Sequence, residues 1–329
     1  MKKVLALVLT IAMALAFAVT ASAESTASFD EGWEPVDVGA KKIGIVPWSM
    51  AHEFNSIVAE TCLDLCEQLG WEATIYDPDS DWTKMQQILE DLIVQGVDGI
   101  IYTAIDTEAA NAMVDQVHEA GIYIVSYDCV SSSGNSDMDV VYDDYEGGRM
   151  AAEAAMEALN GQEDATIVVF ETEPSIITSG PRVNGFCEYI EENYPDVEII
   201  LNRTADRTND GCYQWALDMY TAYPEVDAFF CWWGDCATSA WYALQSAGAT
   251  DVVMIGYDAT DSHLDIMLED GPDSKFYASV GMFPEVYAAT CVQKLNEIFA
   301  GTYTRSGPED QIVKIPEMLY ASEAENWEH

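Results

Sequence analysis

The sequence predicts an α/β fold of two doubly wound parallel-sheet lobes joined by a three-segment hinge. Short apolar runs alternate with amphipathic helical stretches at a step of roughly 25 residues, the rhythm of βαβ units. The unit appears about four times and then about four times again, a weak internal symmetry unlike a short solenoid repeat. Two of the runs also end alike: residues 122–128 read Ile-Tyr-Ile-Val-Ser-Tyr-Asp and residues 252–258 read Val-Val-Met-Ile-Gly-Tyr-Asp. Continuous apolar runs suit strands covered on both faces. Ligands of such sheets sit beyond the carboxyl ends of the strands. Asp128 and Asp258 are therefore expected to face one cleft, one from each half, with Tyr127 and Tyr257 packed beneath it.

Met1-Lys2-Lys3, an apolar stretch from Val4 to Val19 and the small-x-small run Ala21-Ser22-Ala23 predict a signal peptide over 1–23, cut before Glu24. An uncleaved anchor is the alternative, although the stretch is short for a span. No cysteine lies near the cut, so a lipid anchor is not indicated. Residues 24–40 are polar and acidic and read as a leader. The first cycle starts with a strand over 42–46. Phe54, Ile57, Val58, Cys62, Leu65 and Leu69 then share one helical face. A strand follows over 73–76. Met85, Ile88, Leu89, Leu92 and Ile93 mark the next helix, closed by Gly96. A strand over 99–103, a helix over 108–120 stopped by Gly121, a strand over 122–126 and a short run over 140–142 complete the cycle. The second cycle has helices over 148–159, 182–193, 210–223, 237–247 and about 262–269. Its strands fall over 166–170, 197–201, 228–231, 252–255 and 276–280, and a last helix spans 284–299. No segment after the first is long and apolar enough to cross a membrane.

The formal charge is −45, which repels nucleic acid and anionic membrane surfaces. Loss of 1–23 would remove Lys2 and Lys3 and no acid, leaving 11 of the 13 basic residues. A basic residue at a strand-end loop is thus more informative than usual. Eight cysteines in an exported chain suggest disulfides by compartment, but the spacings oppose a framework. Cys62 and Cys66 lie one helical turn apart, and Cys231-x4-Cys236 lacks partners for a metal cluster. Mostly free thiols are expected.

Cofactor motifs are missing. Ile45-Val46-Pro47-Trp48-Ser49-Met50 stands where a glycine-rich phosphate loop would follow the first strand. There is no G-x-S-x-G elbow. His52, His118, His263 and His329 are not spaced as a metal pair. Asp77-x-Asp79-x-Asp81 begins like a calcium loop, but Ile88 occupies the place of the closing Glu. It reads as an acidic turn leading into a helix. Neither cofactor nor metal is expected.

The strand-end loops carry the candidate chemistry. Trp48, Glu53 and Phe54 lie between the first strand and helix, and Trp232, Trp233 and Asp235 follow the 228–231 strand. Arg182 opens a helix and Arg207 follows the 197–201 strand. Aromatic rings suit the C–H face of a sugar, while Asp, Glu and Arg serve hydroxyls through charge-assisted hydrogen bonds. Each residue alone has a plainer reading as core, helix cap or salt bridge. Their recurrence at one topological place favours a site.

Residues 94–101 (Val-Gln-Gly-Val-Asp-Gly-Ile-Ile), 181–186 (Pro-Arg-Val-Asn-Gly-Phe), 243–248 (Ala-Leu-Gln-Ser-Ala-Gly) and 253–258 together resemble the periplasmic sugar-binding proteins of the ribose-binding type, the type 1 periplasmic binding fold of ABC transporter substrate-binding subunits. The resemblance runs from Lys41 to about Lys314. It implies crossings near 142–144, 282–283 and 311–313. The lobes would then comprise 41–142 plus 283–311 and 143–282 plus 312–329. It also implies ligand contacts at Asp128, Arg182 and Asp258, with Phe54 as a stacking ring. Departures occur at Ala51-His52-Glu53-Phe54, where Asn-Pro-Phe-Phe is frequent, and at Cys129, where an arginine often stands. Others occur at Arg207 in place of an aromatic, at Trp233 in place of Asn, and at Met282, near which a polar amide is usual. These departures point away from ribose itself and leave open another monosaccharide, a polyol, a sugar acid or a nucleoside.

The resulting expectation is a non-enzymatic receptor, periplasmic or at the cell surface, monomeric and independent of nucleic acid. It would hold a sugar or polyol between its lobes for a membrane permease of an ABC transporter. The expected ligand contacts are Trp48, Glu53, Phe54, Asp128, Arg182, Arg207, Trp233, Asp258 and Met282. A receptor for chemotaxis or a sensor kinase needs the same closure. A hydrolase would pair Glu53 with Asp128 or Asp258. A transcription regulator of the same fold is opposed by the signal peptide, the missing DNA-binding helices and the acidity of the chain.

Overall fold

The computed structural model describes residues 27–327, apart from 172, 174 and 175. The expected signal peptide lies outside the described residues. Two six-stranded sheets form two lobes, so the expected α/β architecture is met. In the first sheet the order is β2 (Glu72–Ile75), β1 (Lys42–Val46), β3 (Gly99–Tyr102), β4 (Tyr123–Tyr127), β5 (Met138–Tyr142) and β11 (Ile312–Lys314), all parallel. In the second it is β7 (Glu198–Asn202), β6 (Thr166–Phe170), β8 (Ala228–Phe230), β9 (Val253–Asp258), β10 (Phe276–Gly281) and β12 (Glu317–Tyr320), with only β12 antiparallel. Each sheet is thus doubly wound, with its order reversing beside β1 and β6. The central strands β3 and β9 are buried throughout, which is why their sequences show no alternation.

The helices carry recognisable ends. Asp81 caps α2 (Trp82–Gln95) by accepting from the amides of Thr83 at 2.7 Å and Lys84 at 3.2 Å, and Gly96 ends it at φ 65°. The acidic turn before it is a backbone device, with Asp77 accepting from the amides of Met50 and Asp79. α4 (Asp144–Ala158) begins four residues before the expected start because Asp143 accepts from the Glu146 amide at 3.0 Å. α5 (Ser179–Asn193) packs closely on α4. A Cβ on Gly148 would collide with the Arg182 carbonyl, and one on Gly185 with the Tyr145 carbonyl. Only glycine permits that approach, which brings Arg182 within reach of Asp144.

The chain passes from β5 to α4 through Asp143 and from β10 to α9 (Pro284–Phe299) through Met282 and Phe283. α9 packs on α1 (Glu53–Gln68) and on the first sheet. Arg305 ties the following loop to the same lobe, 2.7 Å from Asp139 and 2.8 Å from the Ser136 carbonyl oxygen. The third crossing corrects the expectation. β11 joins the first sheet and β12 the second, so the chain crosses at Ile315–Pro316, and 312–314 belong to the first lobe. The leader segment also lies on that lobe, where Asn296 on α9 bonds both backbone groups of Val36. All eight cysteines are free thiols, and seven of them are buried.

Candidate functional site

The carboxyl ends of both sheets face a cleft of about 630 Å³, within the roughly 300–1,000 Å³ of small-molecule sites. The first lobe contributes Trp48, His52, Phe54 and Asn55 from the β1–α1 connection, and Asp128 and Cys129 after β4. The second contributes Arg182 from α5, Arg207 after β7, Trp232 and Trp233 after β8, and Asp258 at the end of β9.

The twin strand ends share an unusual backbone. Asp128 has φ 54° and Asp258 φ 82°, a left-handed turn that Asp tolerates better than most residues. The strands stop there, the two tyrosines before them are fully buried, and the two carboxylates line the cleft. The Asp128 amide donates to the Val140 carbonyl at 3.0 Å. Asp258 Oδ2 accepts from the Gly234 amide at 2.8 Å.

Arg182 sits at the centre with its side chain only 4% exposed. Its Nη2 donates to Asp128 at 2.9 Å across the lobes, its Nε to Asp144 at 2.7 Å, and its Nη1 to the Trp232 carbonyl at 3.2 Å. Asp258 stands 3.9 Å from Nη1, and the guanidinium lies 4.4 Å from the Tyr257 ring centroid. Burial alone would depress the arginine, but Asp144, Tyr257, Asp128 and Asp258 together hold it charged well above its usual range. Burial pushes Asp144 and Asp258 up to about 7, against the pull of Arg182. One guanidinium among three carboxylates leaves acceptors in excess. Such a set can take hydroxyl donors from a polyol while the arginine donates to its oxygens.

Aromatic rings complete the walls. Phe54 lies edge-on to Tyr287 at 5.6 Å and 89°. Trp232 is buried and donates through Nε1 to the Glu171 carbonyl at 3.2 Å. Trp233, half-buried, lies 4.8 Å from Trp232 and 5.0 Å from Phe170. Arg207 is half-buried and makes no ion pair or hydrogen bond among the described residues. Burial lowers the His52 pKa, and the charge of Arg207 lowers it further, which favours a neutral imidazole at the cleft wall beside that guanidinium.

Trp48, Phe54, Asp128, Arg182, Arg207, Trp233 and Asp258 therefore come together as lining residues. Glu53 and Met282 do not line the cleft. Met282 is fully buried at the crossing. Glu53 instead accepts through Oε1 from the Ser262 amide of the other lobe at 3.0 Å. Sequence reasoning missed Asp144, whose position two residues past the end of β5 was a usable signal. It also missed Asn55, which accepts from the Trp48 amide and the Tyr127 hydroxyl, both at 3.2 Å. Cys129 was noted only as a departure; its sulfur lies 3.5 Å from Thr178 Oγ1 across the lobes.

Two doubly wound lobes closed over a polar, ring-lined cleft define a bilobal binding protein. The chain belongs to the periplasmic binding protein domain family, whose model matches residues 43–302. It is 24% identical over 304 residues to the ribose import binding protein of Bacillus subtilis, covering 92% of this chain and 94% of that protein. It is 22% identical over 276 residues to the D-apiose import binding protein of Paraburkholderia graminis, covering 83% and 86%. Among solved structures it is similar to an ABC transporter solute binding protein from Bacillus halodurans with bound myo-inositol, at TM-score 0.77 and 23% identity over 88% of this chain and 97% of that one. A solute binding protein from Actinobacillus succinogenes with bound D-allose matches at TM-score 0.77 and 18% identity, covering 87% and 100%.

Proposed function

We propose that this protein is an exported, monomeric substrate-binding protein that captures a monosaccharide or related polyol in the interlobe cleft and delivers it to an ABC permease. The observation that carries the reading is Arg182, held by carboxylates of both lobes inside a ring-lined cleft. Each charge-assisted hydrogen bond to a hydroxyl contributes on the order of 1.5–3 kcal/mol. Micromolar affinity needs about 8 kcal/mol, so a few such bonds and one stacked ring suffice. Ribose, apiose, allose and inositol, named for the relatives, are all polyhydroxylated.

The same arrangement supports binding without reaction. Asp128, Asp144 and Asp258 all pair with one guanidinium, and Glu53, the acid a hydrolase would pair with Asp128 or Asp258, accepts from the Ser262 amide and does not line the cleft. Isothermal titration against neutral sugars, polyols, sugar acids and nucleosides tests the reading. A ligand should bind and be recovered unchanged; failure of every class would refute it. The mass of the mature protein from the exporting cell should correspond to a chain starting at Glu24.

A further inference from the structure

α1 and α8 (Asp261–Asp270) begin without caps of their own. Neither His52 nor Thr260, at their N-cap positions, makes a side-chain cap hydrogen bond. The Thr260 hydroxyl is buried without a partner. Each first turn is met by a carboxylate of the opposite lobe instead. Ser262 N on α8 donates to Glu53 Oε1 at 3.0 Å, and Glu53 N on α1 donates to Asp235 Oδ1 at 3.5 Å. Asp235 is itself in the first turn of α7 (Gly234–Ser246). Three helix N-termini from two lobes thus converge on two carboxylates, where partial positive charge favours acids.

We infer that Glu53 and Asp235 form a reciprocal cross-lobe latch that sets the closed fraction of the ligand-free protein. The inference rests on the proposed reading, in which the lobes open and close. Glu53 is then a positioning residue and not a ligand contact. Opening breaks both hydrogen bonds at once and returns two helix starts to water without side-chain caps. The closed state is favoured by whatever the two bonds contribute beyond hydration, and apparent ligand affinity scales with the closed fraction. The Glu53–Ser262 contact is the shorter and the stronger. The Asp235 contact lies at the outer limit of hydrogen bonding.

Small-angle scattering of the ligand-free full chain, with hydrogen exchange at the amides of 53 and 262, tests the latch. Glu53→Ala should lower the closed-to-open ratio about tenfold, and Asp235→Ala by about threefold. Glu53→Gln, which keeps an acceptor oxygen, should fall between wild type and Glu53→Ala. The radius of gyration should rise in the same order, and the 262 amide should exchange faster in Glu53→Ala. Thr260→Asp added to Glu53→Ala gives α8 a cap within its own lobe. It should restore protection at 262 without restoring the compact scattering profile. Unchanged scattering in Glu53→Ala and Asp235→Ala would overturn the latch, as would recovery of the compact profile by Thr260→Asp. Loss of protection throughout α1 with no change in scattering would also overturn it, because the acids would then serve only local helix stability. A sugar panel run on the wild type separates the two readings: no binding there counts against the receptor, whereas binding with unaltered variants counts against the latch alone.

Discussion

Arg182 is the residue on which the cleft depends. It is buried, and three carboxylates from both lobes point at it. Removing one partner of a buried ion pair leaves charge without compensation and costs about 3–5 kcal/mol. Arg182→Ala is therefore expected to abolish ligand binding and to lower stability in urea unfolding by an amount of that order. Arg182→Lys keeps the charge but not the fork that serves Asp128 and Asp144 together, so binding should fall even where stability recovers.

Asp144 and Asp258 add a pH dependence. Burial first, and neighbouring acids second, raise both to about 7 in the folded protein, from 3.8. Between those values the folded chain holds more protons than the unfolded one, so stability falls as pH rises. The melting temperature of the ligand-free protein should drop from pH 5 to pH 7.5, and Asp258→Asn should flatten that slope. Arg207 carries a separate expectation. Arg207→Ala should weaken binding of a carboxylated sugar about tenfold or more and that of its neutral parent far less. Equal losses on titration would show that Arg207 reads no charge.

The Tyr-Asp endings made Asp128 and Asp258 legible, because strand ends are the one place in such folds where a lone acid is informative. Glu53 was legible as a strand-end acid but not as a cross-lobe contact. Its partner Ser262 lies 209 residues away, and only lobe apposition joins them. Met282 took its expectation from position in a family pattern, which does not specify whether a side chain at a crossing turns into the cleft or the core.

At the scale of elements, β1 and α9 have the bounds that apolar patterning predicts. β11 and β12 escaped detection. They are three and four residues long and mostly partly exposed, too short for period or composition to distinguish them from loop. The third crossing was misplaced for the same reason. The start of α4 was hidden by Asp143, a polar residue whose capping role appears only once the helix exists. The α4–α5 contact yields an expectation of its own. Gly148→Ala forces two backbones apart, a form of overpacking that costs about 1–3 kcal/mol. Thermal unfolding should register that loss, and titration should show weaker ligand binding because α5 carries Arg182.

For the whole molecule, a formal charge of −45 means self-repulsion opposes compactness. Salt screens that repulsion, with a Debye length of about 30 Å at 0.01 M and about 8 Å at 0.15 M. The melting temperature should therefore rise as sodium chloride is added over this range, and a flat response would count against a global electrostatic cost.

The two-residue connection between β11 and β12 also limits how the molecule can move. Three Cα–Cα steps span at most about 11 Å, so those two sheet edges are leashed together. The other crossings leave from β5 and β10, the strands next to that edge. All three therefore form a pivot on one side, and any opening must be a rotation that grows toward β2 and β7 on the other. Arg207 follows β7, and the acidic turn at Asp77–Asp81 follows β2. Arg207 thus rides on the widest arc of any such opening, where the gap between the lobes would change most.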